Sequence, residues 1–160
     1  MVILVMGVSG SGKTTVGQLL AGVLGWRFAD ADDYHPAANK VKMSAGIPLT
    51  DEDRQPWIES LRNAILGWIS LNENAVLACS ALKQEYRNKL AVASEVKVVF
   101  LRGAFGVIQQ RLAHRPSHFM SPILLRSQFD TLEEPANAVV IDVAAPPEAI
   151  VLRIRKELQI

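Results

Sequence analysis

One stretch near the start of the chain constrains what the rest can fold into. Gly7-Val8-Ser9-Gly10-Ser11-Gly12-Lys13-Thr14 fits the spacing G-x-x-x-x-G-K-[ST] of a phosphate-binding loop. The glycines allow a tight turn that aims successive N–H groups into a concavity suited to an anion. Lys13 adds a mobile positive charge for the outer phosphates, and the Thr14 hydroxyl is a ligand for Mg²⁺. A random match in a chain of this size is expected well under about 1% of the time. The setting agrees with the motif. Val2-Ile3-Leu4-Val5-Met6 is a short apolar run of the kind a buried parallel strand needs. After the loop, Val16, Leu19, Leu20 and Val23 fall at helical spacing and predict one buried helix face. That helix directs its positive end at the same phosphates.

Strands and helices then alternate along the 160 residues. Helix is expected over 13–24, with Gly25 as C-cap, followed by a short strand at Arg27–Asp30. Residues 31–50 are turn-rich and hold a short helix around 37–44. Thr50 and Asp53 form a capping box with Asp in place of Glu. The helix they open runs to about Leu71, with Ile58, Leu61, Ile65, Trp68 and Ile69 facing inward. Pro56 is tolerated there by its nearness to the helix start. Strands are expected at Ala75–Cys79, Val96–Leu101 and Ala138–Asp142. Helices are expected at Lys83–Ala93, at 105–113, from Ser121-Pro122 onward, and after Pro146-Pro147. This order implies an α/β architecture: a central five-stranded parallel sheet with helices on both faces. In such sheets ligands sit outside the carboxyl ends of the strands. The loop after strand one and the acids after strand two therefore share an edge.

Composition narrows the function classes. The chain is 49% hydrophobic and 21% charged, with a formal net charge of +1. No bulk attraction to nucleic acid or membrane is expected. Met1 leads directly into the first strand, so no signal peptide is expected. A single cysteine, Cys79, excludes an internal disulfide framework, fits a reducing cytoplasm and reads as a small buried apolar residue. No His/Cys cluster suggests structural zinc. Asn39-Lys40-Val41-Lys42 lacks the acid that a guanine-reading N-K-x-D needs. Strand three ends in Cys79-Ser80 rather than in an acid. Both features argue against switches and motors and for a small-molecule kinase, whose metal is held by Thr14, water and the nucleotide.

Phosphoryl transfer also needs a positioned acceptor and cations over the transferring group. Asp30 and Asp32 lie just past strand two. One of the two is expected to support Mg²⁺ through its waters, and the other to accept a proton from the attacking hydroxyl. His35, Lys42, Arg54, Lys83 and Arg87 lie on segments leaving the ligand edge and suggest a small anionic acceptor. Arg111, Arg115 and His118 flank Pro116. A lid at about 111–128 would carry Arg111 to the nucleotide and Arg115 to the transferring phosphoryl group.

At this point the chain resembles the gluconate kinases of the thermoresistant gluconokinase type, within the P-loop kinases. The likeness rests on Met6 through Thr14, Asp30-Ala31-Asp32, His35-Pro36, Asn39, Lys42-Met43, Gly46 through Leu49, and Asp51 through Trp57. It continues with Cys79-Ser80-Ala81-Leu82-Lys83, Tyr86-Arg87, His118-Phe119-Met120, Ser127-Gln128-Phe129 and Thr131-Leu132-Glu133. The loop is shared by many kinases; the later blocks are far more specific. The resemblance implies a three-layer P-loop NTPase fold of adenylate-kinase type in one domain, 1–160. It also implies ATP and Mg²⁺, a cytoplasmic homodimer, and transfer of the γ-phosphate to the 6-hydroxyl of D-gluconate. It adds His118 and Gln128 to the acceptor contacts. Shikimate or nucleoside-monophosphate kinase activity is the alternative, since Asp30-x-Asp32 also occurs in shikimate kinases. A nucleotide-binding protein without catalysis is a third reading. Two departures stand out. Ala104 and Gly106 replace residues that are often acids, which weakens a helix cap. Pro116-Ser117 replaces a common basic-glycine pair, which implies a stiffer lid hinge.

Overall fold

In the computed structural model, residues 1–114 and 122–160 are described. The first strand, β1 (Val2–Met6), is wholly buried and sits at the centre of the sheet. It pairs in parallel with β3 (Ala75–Ala78) on one side and β4 (Val96–Arg102) on the other. Outside these lie β2 (Arg27–Asp30) and β5 (Val139–Asp142), giving the order β2-β3-β1-β4-β5. All four pairings are parallel, as the alternation of strands with helices requires.

Alternation along β1 divides the core in two. Val2, Leu4 and Met6 face a layer built by α3 (Asp51–Ser70) and α4 (Gln84–Leu90), through Trp57, Leu61, Ile65, Trp68 and Leu90. Ile3 and Val5 face α1 (Lys13–Leu24), α5 (Phe105–Ala113), α6 (Pro122–Thr131) and α7 (Pro147–Leu158). The remaining helix, α2 (Ala37–Ser44), follows a 3-10 turn at Ala31–Tyr34 and forms a wall beside the ligand edge.

Most expected elements are present, with informative shifts. Val23 is exposed rather than buried. The buried face of α1 is Val16, Gly17, Leu20 and Ala21, and its small residues bring the helix close to the sheet. A Cβ on Gly17 would lie 2.8 Å from Cε2 of Phe28. The helix expected over Lys83–Ala93 ends at Leu90, where Ala91 leaves helical geometry. Pro56 lies beyond the first turn of α3, whose backbone ladder has already begun with Arg54 N–H donating to the Thr50 carbonyl. The Thr50–Asp53 capping box forms in both directions. Ala104, the N-cap of α5, supplies no side-chain cap. No helix among the described residues is long and apolar enough to cross a membrane.

Candidate active site

The chain passes from the end of β1 into the phosphate loop and then α1, so the loop lies at the carboxyl edge of the sheet. Its glycines are sterically required. Gly7 has φ 152°, and a Cβ there would sit 2.8 Å from the Leu101 carbonyl. Gly12 caps α1 in the left-handed region with φ 93°. The glycines thus let the backbone turn tightly against Leu101 and enter α1, a loop shape that suits a polyphosphate at the N-terminus of the helix. Lys13 curls over it, donating from Nζ to the Val8 carbonyl at 3.0 Å. Burial holds its ammonium pKa below the usual lysine value, while Cys79, Asp32 and Asp30 act in the opposite sense. Burial likewise pushes the Cys79 thiol up to about 12, so that it is neutral at physiological pH.

Thr14 Oγ1 donates to Asp30 Oδ2 at 3.0 Å, and the other Asp30 oxygen accepts the Asp32 N–H at 3.1 Å. The hydroxyl expected to ligate Mg²⁺ and the carboxylate expected to support the ion are therefore adjacent, and the same carboxylate orients the turn that carries Asp32. Partial burial raises the Asp32 carboxyl above its usual range, and the nearby Asp30 charge adds to the effect. Among the described residues there is no cluster of three or more His, Cys, Asp or Glu able to hold a metal alone. A cation here would rest on Thr14, Asp30, water and phosphate oxygens.

Two clefts meet at this point. One, of about 420 Å³, is lined by the loop with Lys13, Thr14, Asp30, Asp32 and Gln128. The other, of about 560 Å³, is lined by Asp32, His35, Arg54, Trp57, Lys83 and Gln128 among others. Asp32 and Gln128 border both. A third hollow, beside Arg111, runs between α5 and the loop at Pro146. Arg111 donates to the Val143 carbonyl there.

The second cleft is built as a polar receptor on an aromatic floor. His35 stacks on Trp57 with ring centroids 4.5 Å apart and planes 10° from parallel. Trp57 Nε1 donates to the Ala31 carbonyl at 2.7 Å, tying α3 to the 3-10 turn. The Asn39 amide nitrogen donates to the Asp53 carbonyl at 2.7 Å and approaches His35 Nδ1 at 3.3 Å. An amide nitrogen cannot accept, so Nδ1 is the acceptor and the ring proton sits on Nε2. Burial lowers the His35 pKa and favours this neutral form. At the rim, Asp51 accepts from Tyr86 Oη at 2.5 Å and Lys83 Nζ at 3.1 Å, with Arg54 at 3.5 Å. These contacts, that from Tyr86 first, hold the Asp51 carboxyl below its usual range.

The structure thus gathers Lys13, Thr14, Asp30, Asp32, His35, Arg54, Lys83 and Gln128 along two joined clefts. Lys42 and Arg87 are placed behind the walls instead. Lys42 Nζ lies 2.8 Å from both Asp53 carboxylate oxygens. Arg87 is buried, with Nη1 donating to the carbonyls of Ala81 and Leu82. Arg115 and His118 lie outside the described residues. Local sequence patterns do not mark Asp51 and Trp57 as site residues. Asp51 reads as an ordinary first-turn acid of α3, and Trp57 reads as core. Ala81, with φ 42°, marks the strained turn after β3 that Arg87 braces.

Comparison with known proteins decides between the kinases that share this architecture. The family model for shikimate kinase matches residues 9–159. A mouse protein named probable gluconokinase is 48% identical, over 84% of this chain and 83% of its own. The thermosensitive gluconokinase of Escherichia coli is 47% identical over 82% of this chain and 71% of its own. The crystal structure of a gluconokinase from Sinorhizobium meliloti is 44% identical, covers 98% of this chain and 90% of that one, and superposes with a TM-score of 0.85.

The chain belongs to the gluconokinase family.

It is an enzyme of the kinase class with the expected P-loop fold. A shikimate kinase from Aquifex aeolicus, 22% identical with a TM-score of 0.66 over 99% of this chain and 96% of its own, shares the fold. The gap between 22% and 44–48% places the chain on the gluconokinase branch of that fold. The gluconokinase resemblance read from the His-Pro, Cys-Ser-Ala-Leu-Lys and Ser-Gln-Phe blocks is thereby borne out.

Proposed function

We propose that this chain transfers the γ-phosphate of ATP to the 6-hydroxyl of D-gluconate, giving 6-phospho-D-gluconate. The observation that carries the reading is the junction of two clefts at Asp32, in a chain of the gluconokinase family. One cleft suits a polyphosphate. The other offers a carboxylate at the junction and cations at its far rim, the pattern a polyhydroxy acid needs. The triphosphate lies along residues 7–14, and the base of ATP occupies the hollow between Arg111 and Pro146. Mg²⁺ would be held by Thr14 with support from Asp30, and would neutralise charge on the phosphates. The acceptor carboxylate faces Arg54 and Lys83, and its hydroxyls meet His35 Nε2–H and the Gln128 amide. The terminal hydroxyl lies at Asp32.

In the reaction the acceptor oxygen forms a bond to the γ-phosphorus as the bond to the departing ADP oxygen breaks. The hydroxyl proton passes to Asp32. Lys13 stabilises charge on the transferring group. Supported by the resemblance and the +1 net charge, we further infer one domain over 1–160, acting as a cytoplasmic homodimer without a nucleic-acid partner. The expected lid at about 111–128 includes Arg115 and His118, which lie outside the described residues, so no step is assigned to either.

A coupled assay tests the reading: Mg-ATP with gluconate, shikimate, AMP or no acceptor, following ADP. Gluconate-dependent ADP formation is expected. Formation with shikimate or AMP alone would support the other small-molecule kinases, and ATP binding without turnover on any acceptor would support a non-catalytic protein.

A further inference from the structure

Gln128 makes a contact that neither the loop motif nor an acceptor pocket requires. From α6 it reaches a residue 119 positions earlier in the chain, with its Oε1 accepting the Ser9 N–H at 2.7 Å. Its Nε2 donates to Ser9 Oγ at 3.1 Å. Ser9 is the third residue of the phosphate loop and lines the nucleotide cleft. One amide thus occupies both polar groups that Ser9 would present to a phosphate. The seat of α6 does not depend on this contact. Leu125 is buried in the core, Phe129 packs edge-on against Phe105 at 5.4 Å, and the Arg126 guanidinium lies 4.0 Å above the Phe105 ring. The Gln128 side chain can therefore leave Ser9 while its helix stays in place. It borders the acceptor cleft as well.

We propose that Gln128 is a positioning residue that makes nucleotide and acceptor binding cooperative. Without nucleotide its amide latches Ser9. The terminal phosphate of ATP takes over the Ser9 N–H and releases the amide, which then serves an acceptor hydroxyl in the neighbouring cleft. A neutral amide suits both states, because it offers one donor group and one acceptor and adds no charge beside the triphosphate. The acceptor half rests on the polyhydroxy-acid reading above; the nucleotide half does not.

The test measures binding of a non-hydrolysable ATP analogue with Mg²⁺, and of gluconate with and without that analogue. In the wild type the analogue tightens gluconate binding by about 5-fold or more, the lower end of ordinary coupling between sites. Gln128→Met keeps the volume and removes the latch. It is expected to bind the analogue about 5-fold more tightly, the scale of one net hydrogen bond. Its gluconate affinity loses its dependence on the analogue, and KM for gluconate rises more than kcat falls. A merely structural role would weaken both ligands together. Gln128→Glu places a carboxylate beside the phosphates and is expected to lose more than about 10-fold in analogue affinity with an unchanged melting temperature. Weaker analogue binding by Gln128→Met, wild-type coupling in that variant, or wild-type analogue affinity in Gln128→Glu would overturn the proposal. The analogue measurements involve no acceptor, so absence of gluconate binding to the wild type contradicts the functional reading and leaves the latch to be judged on them.

Discussion

Asp32 and Lys13 line the same nucleotide cleft and interact electrostatically, but their proposed roles differ. Asp32→Asn keeps the size and polarity of the side chain but cannot take a proton. It should lower kcat by about 10²–10⁴ while leaving ATP binding nearly unchanged. The carboxylate must be ionised to act, and its pKa is raised above the usual 3.8 by burial and Asp30. Activity of the wild type should therefore fall as pH drops through a value above 3.8. That acid limb should be missing from the kcat/KM profile of Asp32→Asn, and its persistence would assign the proton to another group. Lys13→Ala should cost about 10²–10³ in turnover, the scale of removing one preorganised electrostatic contact. Near-normal turnover in that variant would remove Lys13 from the mechanism.

The start of α3 joins fold to site at the scale of elements. Thr50 and Asp53 cap it, and Asp53 is held in turn by Lys42. Thr50→Ala should cost about 1 kcal/mol, seen as a fall of roughly 2–4 °C in the melting temperature. Hydrogen bonds, first from Lys42 and then from Thr50, lower the Asp53 pKa below 3.8. Its contribution is therefore present above 3.8 and lost as pH falls through the lowered folded-state value. Asp53→Asn should be less stable than wild type at pH 7, with the difference closing in strong acid. On the opposite face, Gly17→Ala would drive a methyl into the Phe28 ring and should cost about 1–3 kcal/mol in denaturant unfolding.

The same elements explain what could be read from the sequence. The capping box, the Gly25 C-cap and the apolar β1 run are local patterns, and each appears where its spacing puts it. Val23 did not follow its helical spacing, because the small residues Gly17 and Ala21 turn the helix face that meets the sheet. Lys42 and Arg87 look like ligands in one dimension. Only the fold shows that Asp53 and the Ala81–Leu82 carbonyls take their charges. The Ser9–Gln128 contact spans most of the chain and leaves no local signature.

The whole molecule is best understood as a parallel sheet whose carboxyl edge joins two substrates. β1 and β3 deliver the phosphate loop and the braced turn at Ala81, and β2 delivers Asp30 and Asp32. The shikimate kinases share this frame, so the frame alone does not choose the acceptor. In the proposed function that choice falls to the rim cations Arg54 and Lys83 and to the His35–Trp57 floor, which line the acceptor cleft. The structure of the product tests the proposed transfer to the 6-hydroxyl most directly. After incubation with Mg-ATP and D-gluconate, phosphorus–proton correlation NMR should show a single new phosphate ester, coupled to the two protons on carbon 6. An ester at another carbon, or no ester on gluconate while shikimate or AMP is phosphorylated, would contradict it.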